Sequence, residues 1–201
     1  MMSVIADEEL QRPETPDSDV RERMAHSAAA LFGERGFTGA GLRDVVAASG
    51  APRGSIYHHF PGGKAELAQA AVRVAADAAA GPIERATDPI AALQAGLDAW
   101  RRDLVASDYR AGSALAAVAT APEDAAGARE AAAAGYERWS DALTEALRAS
   151  GVRRKKAARL TMLAVSAIEG AVVLCRARRD TAPLDAIGRE LELAIEAARR
   201  R

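Results

Sequence analysis

The stretch GLRDVVAASGAPRGSIYHHFPGGK, residues 41–64, leaves this chain few folds to choose from. Leu42, Val45 and Val46 give a short helix one apolar edge, and Ala47 and Ala48 are small enough for a second helix to pack close. Ser49-Gly50 interrupts the pattern, and Gly50 suits the positive φ that a sharp corner between helices demands. Pro52 fits the first turn of a new helix, where a missing N–H costs nothing. In that second helix Ile56 and Phe60 point inward, leaving Arg53, Ser55, Tyr57 and His58 outside. Pro61-Gly62-Gly63 ends it, and Lys64 stands at the start of the next helix.

A helical corner of this kind can lay its second helix in the major groove of DNA. The outer face carries matching chemistry. Arg53 can bond guanine bidentately, Ser55 can pair with any base, and Tyr57 and His58 can donate to phosphate. Lys64 lies beside free backbone N–H groups at a helix N-terminus, a setting that attracts anions. Arg43, Arg53 and Lys64 outweigh Asp44, so the stretch is basic within a chain of formal net charge −1. A DNA-binding footprint need only be local. An ordinary corner with a solvated polar face would show the same periodicity.

The run LFGERGFTGAGLRDVVAASGAPRGSIYHHFPGGKAEL resembles the N-terminal domain of TetR-family transcriptional repressors. The likeness covers about residues 20–75. Leu31-Phe32, Gly36-Phe37, Ala48-Ser49-Gly50, Gly54-Ser55-Ile56-Tyr57, His59-Phe60 and Lys64 stand at the family's spacing. The form APRGSIYHHFPGGK is similar to the LmrA/YxaF-type branch. The resemblance implies an all-α protein, with a three-helix helix-turn-helix domain joined by a continuous helix to a larger helical domain. It implies DNA contacts from Arg43, Arg53, Gly54, Ser55, Tyr57, His58 and Lys64. Two departures concern hydroxyl caps: Ala40-Gly41 opens the first helix of the motif and Pro52 the second, where the family favours Thr or Ser. Phosphate roles are therefore not carried onto Ala40 or Pro52. The branch's Cys-Pro pair near Ser113-Ala114 is also missing.

The remainder reads as helices. Aromatics are only 4% of a chain that is 49% hydrophobic, so the core must come mainly from Ala, Leu and Val, which favours close-packed helices over a sheet. Residues 1–17 are acidic, with Arg12 their one base, and aperiodic; a disordered arm is expected there. Asp19-x-x-Glu22 suggests a capping box opening the first helix, which carries His26 as a solvated residue and ends at Gly33 and Gly36. Residues 18–63 are read as the DNA-binding domain and 64–201 as a ligand-binding and dimerisation domain. Further helices are expected over about 62–80, 89–106, 114–120, 122–150, 152–178 and 183–200. Gly81-Pro82 should stop the first of these, and Asp88-Pro89 should open the second. The basic run Arg153–Arg159 reads as the solvated end of a helix or a second anion patch.

No uninterrupted run of eighteen apolar residues occurs, so no membrane span is expected. No secretory pattern opens the chain, and Cys175 is the sole cysteine, which together fit the cytosol. Arg outnumbers Lys 24 to 3 and Ala is abundant, a composition suggestive of a GC-rich bacterial genome. No cofactor or metal is expected. His58 and His59 are adjacent, so on a helix they diverge by about 100° and do not share an ion readily.

Three functions stay open. One is a transcriptional regulator whose larger domain takes a small apolar or aromatic effector; Trp100, Tyr136, Trp139, Met162 and Ser166 are the pocket candidates, and plain core packing is their alternative. Another is a helical dimer whose corner serves protein contacts without DNA. The third is an enzyme, for which no Ser/His/Asp set or paired carboxylates can be assembled. The apolar run LTMLAVSAIEGAVVLC and the helix after it need a partner, and a bundle with a second copy would cover them. Glu169, Gly170, Val172, Leu174, Leu184, Ile187 and Leu191 are the expected dimer interface, with Arg176 or Arg179 of the second copy facing Glu169. A homodimer implies a pseudo-palindromic double-stranded DNA operator.

Overall fold

The computed structural model describes residues 16–122 and 125–200. Among these it forms helices and no strand: α1 Pro16–Gly39, α2 Leu42–Ser49, α3 Ile56–His59, α4 Gly63–Arg85, α5 Pro89–Ala106, α6 Ala114–Ala119, α7 Ala126–Ala149, α8 Arg154–Arg178 and α9 Ala182–Arg199. The acidic arm expected over 1–17 lies outside the described residues except for Pro16 and Asp17, which open α1. The expected capping box is absent. The helix starts earlier, at a proline suited to a first turn, and Asp19 instead pairs with Arg23 one turn on. Gly36, at φ 76°, kinks the end of α1 so that Phe37 turns back against Phe32, ring centres 5.6 Å apart. Gly33 lies inside the helix rather than at its end.

Helix α4 runs through Gly81-Pro82 to Arg85 instead of stopping before them. Gly81 has no Cβ, so the clash that pushes a residue before proline out of helical geometry is relieved. This helix packs along α7, with Ala68 and Ala71 facing the interior as Ala128 and Ala132 do, all fully buried. Gly135 completes the close approach: a Cβ there would lie 3.2 Å from Val72 Cγ1 of α4, and 2.7 Å from Leu115 Cδ2 of α6. Asp88 caps α5, accepting from Ala91 N at 3.1 Å, as the Asp-Pro pair predicted.

Helix α1 has two inward faces. Met24, Ala28 and Phe32 are sealed in the core shared with α2, α3 and α4. Its other side, with His26, Ala29, Ala30 and Glu34, closes a cavity described below. Helix α8 packs on α5, α7 and α9. Contrary to the expectation from uninterrupted runs, α8 is long and apolar enough by composition to cross a membrane, although 44% of that apolar window is already buried within this chain.

Candidate nucleic-acid interface and effector cavity

The corner forms as predicted at Gly50, whose φ of 66° and ψ of 15° lie in the left-handed region. The first helix lacks a hydroxyl cap, and only the return half of a capping box is present: Asp44 Oδ2 accepts the Gly41 N–H at 2.8 Å. The second helix is shorter than expected. Pro52 begins a turn, not a helix, because Gly54 takes φ 94°, and regular helix starts only at Ile56. Ser55 Oγ donates to Pro52 O at 2.7 Å, so its hydroxyl hydrogen is used within the turn and the oxygen remains as an acceptor. Arg43, Arg53, Gly54, Tyr57 and His58 are exposed, Tyr57 at 66%. Among the described residues Arg43 and Arg53 make no hydrogen bond or ion pair, which leaves their guanidinium donors open. Ala47 and Ala48 are exposed too, not packed, so no bulk stands between α2 and whatever the corner meets.

A residue that sequence reasoning passed over holds the corner in place. Arg21 on α1 donates to the carbonyl of His59, pairs with Glu66 at 3.1 Å and lies 4.3 Å over the Phe60 ring. One guanidinium thus ties the end of α3 to α1 and α4. Its only sequence signal is a cation on an otherwise ordinary helix face, because all three partners lie about 40 residues away in the chain.

Lys64 sits in the first turn of α4 with Nζ 4.5 Å over the Phe37 ring. Burial holds its ammonium below the ordinary range, partly offset by Asp44. The anion setting around it is already half filled. Glu66 Oε2 accepts the Gly62 N–H at 2.9 Å, and that backbone bond holds its carboxyl below the usual range, with help from Arg21. A phosphate here would therefore meet Lys64 more than the helix terminus.

The cavity, about 910 Å³, lies between α1, α4, α5, α7 and α8. Trp100 and Trp139 line it. Tyr136 is not among the residues that line it; it stacks with Trp139, ring centres 6.4 Å apart, and donates to Glu169, which does line it. Met162 and Ser166 do not belong to it. Both are exposed, Met162 at 64%, because their positions on α8 face away from α7. Glu169 was expected at a dimer interface but turns to the cavity, where Ser113 Oγ and Tyr136 Oη donate to Oε1 at 2.8 and 3.0 Å. Burial raises its carboxyl and these two bonds pull the other way; burial and the nearby Glu169 also raise the Tyr136 phenol. The arginines suggested for Glu169 are engaged elsewhere. Arg176 donates to Gly33 O and Glu34 O at 3.0 and 2.7 Å, and Arg179 pairs with Asp108.

The other expected interface residues divide by face. Val172, Leu184 and Leu191 are buried within the chain and Ile187 is half-buried, so three of them belong to the core and not to a surface. Gly170 and Leu174 are exposed. With them on α8 are Met162, Leu163, Ser166 and Val173, and α9 beside it exposes Leu193. Met162, Ser166, Gly170, Val173 and Ala177 fall at steps of three and four, one continuous helix stripe.

Two family models match the chain. One, described as bacterial regulatory proteins of the TetR family, spans residues 26–71; the other, the C-terminal domain of LmrA/YxaF-like transcriptional regulators, spans 89–190. An uncharacterised HTH-type transcriptional regulator of Mycobacterium tuberculosis is 42% identical over 177 residues, covering 85% of this chain and 91% of its own. The HTH-type transcriptional regulator LmrA of Bacillus subtilis is 32% identical over 173 residues, covering 83% and 91%. The regulatory protein TetR from Rhodobacter sphaeroides shares the fold with a TM-score of 0.71 at 19% identity, over 86% of this chain and 96% of its own. A TetR transcriptional regulator from Legionella pneumophila does so at 0.71 and 20%, over 85% and 94%.

Proposed function

This chain belongs to the TetR family of bacterial transcriptional regulators, with a C-terminal domain of the LmrA/YxaF type, and from that premise we propose that it binds a pseudo-palindromic operator as a homodimer and is released from it by a small apolar effector. The family is one of DNA-binding regulators, not enzymes. In this reading residues 18–63 grip DNA in the cytoplasm, and 64–201 bind effector and the second copy.

The observation that carries the reading is the double duty of α1. Its one side seats α2 and α3, and its other side closes the cavity. A molecule filling the cavity therefore presses on the helix that sets the position of the DNA-reading corner. The junction is tight. A Cβ at Gly33 of α1 would fall 2.0 Å from Gly112 O, and the next residue, Ser113, bonds Glu169 in the cavity wall. Repulsion at such contacts moves elements as rigid bodies, since packed interiors deform little.

The exposed apolar stripe on α8, with Leu193 of α9, supports the homodimer. A second copy placing the same two helices against it gives a two-fold four-helix bundle and covers the apolar surface without a membrane. A gel shift on DNA flanking its own gene tests the proposal. Expected is a retarded band that survives excess scrambled DNA, contains two protein chains and disappears when effector is added. If no fragment outcompetes scrambled DNA, the helical protein-interaction dimer is the better reading.

A further inference from the structure

The cavity wall is mainly Ala, Val, Leu and Ile with two indoles, and Glu169 is one of three carboxylates that interrupt it, with Glu34 and Asp103. Both hydroxyl donors to Glu169 meet the same oxygen, Oε1. Among the described residues Oε2 takes no hydrogen bond, and it is not a sealed atom. No lysine or arginine among them pairs with this carboxylate. The other charged wall residues do not answer it. Glu34 is paired with Arg110 at 3.1 Å, and Arg102 and Asp103 are exposed neighbours of opposite sign on α5. His26, also exposed, is on α1. A half-buried carboxylate with one open oxygen is costly until a donor, best a charged one, completes it. The faces of Trp100 and Trp139 add a surface that attracts cations.

We propose that the effector is a lipophilic organic cation, an aryl or alkyl ammonium whose N–H groups bond Glu169 Oε2 while its apolar body lies against Trp100, Trp139, Leu93 and Leu97. The cavity then selects by charge as well as by greasiness. A carboxylate-bearing molecule of equal shape meets an unneutralised like charge and is rejected. The word effector rests on the regulator reading above; the binding preference does not.

Three probes with one naphthalene body separate the possibilities: 1-naphthylmethylamine, 1-naphthylmethanol and 1-naphthoate, titrated calorimetrically into the full-length protein at neutral pH. The amine should bind about tenfold or more tighter than the alcohol, the worth of a hydrogen bond between charged groups, and the naphthoate should be weakest. Glu169→Gln keeps the size and the two hydroxyl partners. In it the amine and the alcohol should agree within about threefold. Equal binding of all three, a ranking led by the alcohol or the naphthoate, no binding by any, or an amine advantage that survives Glu169→Gln each overturns the assignment. The ranking in the unaltered protein needs no variant to fold. A parallel gel shift without probe keeps the two readings apart: lost operator binding defeats the regulator and leaves the ranking intact, whereas a reversed ranking defeats the cation and leaves operator binding intact.

Discussion

In the proposed DNA complex, single side chains at the corner divide into those expected to hold phosphate and those expected to read bases. Lys64 is pinned over Phe37 at the start of α4, a compact charge with little freedom to search a base edge. Arg53 stands exposed in the turn before α3, its planar fork without a partner among the described residues. Each phosphate contact contributes about 0.9 to the slope of log affinity against log salt, so Lys64→Ala in a dimer should flatten that slope by about 2 and leave sequence preference alone. Arg53→Ala should instead relax preference at one symmetric position per half-site, by about 1–3 kcal/mol for each bidentate contact. Salt titrations and a series of altered operators read both. A change of preference in Lys64→Ala with only a slope change in Arg53→Ala would reverse the two roles.

At the scale of elements, α3 is too short to hold itself. Four residues make barely one turn, below the length at which a helix is stable alone, so it is held by the buried Ile56, by Phe60 at its end and by Arg21. Arg21→Ala removes a charge-assisted bond and a stacking contact at a third-exposed site and should cost about 1–2 kcal/mol of stability, with operator affinity falling further than Lys64→Ala explains. The partner carboxylate makes this pH-dependent. The folded state lowers the Glu66 pKa, chiefly through the Gly62 N–H, so the folded chain holds fewer protons there than the unfolded chain. The stabilisation is complete above the unfolded value near 4.3 and fades as pH falls through the lower folded value. Thermal unfolding followed from neutral pH to about pH 3 should show a steeper acid loss in the unaltered protein than in Glu66→Gln. Parallel slopes would mean that Glu66 does not anchor the corner. Helix α1 responds to volume as well. Gly33→Ala forces a methyl against Gly112 O and should separate α1 from the cavity wall, costing about 1–3 kcal/mol and weakening effector-driven release more than DNA binding.

For the proposed homodimer the surface that matters is the exposed apolar side of α8, where Val173 and Leu174 lie. Val173→Asp and Leu174→Asp place charge on exposed apolar positions, so each should leave a folded monomer that binds single half-sites weakly. Val172→Asp, one residue earlier, places it in a sealed site and should cost about 3–5 kcal/mol of folding stability. Light-scattering mass and thermal melts separate the two outcomes. A dimer that persists in both Val173→Asp and Leu174→Asp moves the interface elsewhere.

The chain's own order of residues determined the all-helical class, the corner at Gly50, the cap at Asp88 and the polar face around Tyr57, because turn chemistry and helical period act over a few residues. The same local signals misplaced the first helix start, which Pro16 advanced, and the end of α4, which Gly81 carried through a proline. They named Trp100 and Trp139 as cavity residues but could not tell Met162 from them, or Val172 from Leu174. All are apolar at helical spacing, and a helix as apolar as α8 does not declare in its own sequence which side its neighbours cover. That was decided by α5, α7 and α9, which took Val172 into the core and left Leu174 outside. Tertiary packing alone also brought Arg21 to residues 38 and 45 positions away, and Glu169 to Ser113 and Tyr136, 56 and 33 away. No local pattern encodes partners at such separations, because only the packing of whole helices brings them within hydrogen-bond reach.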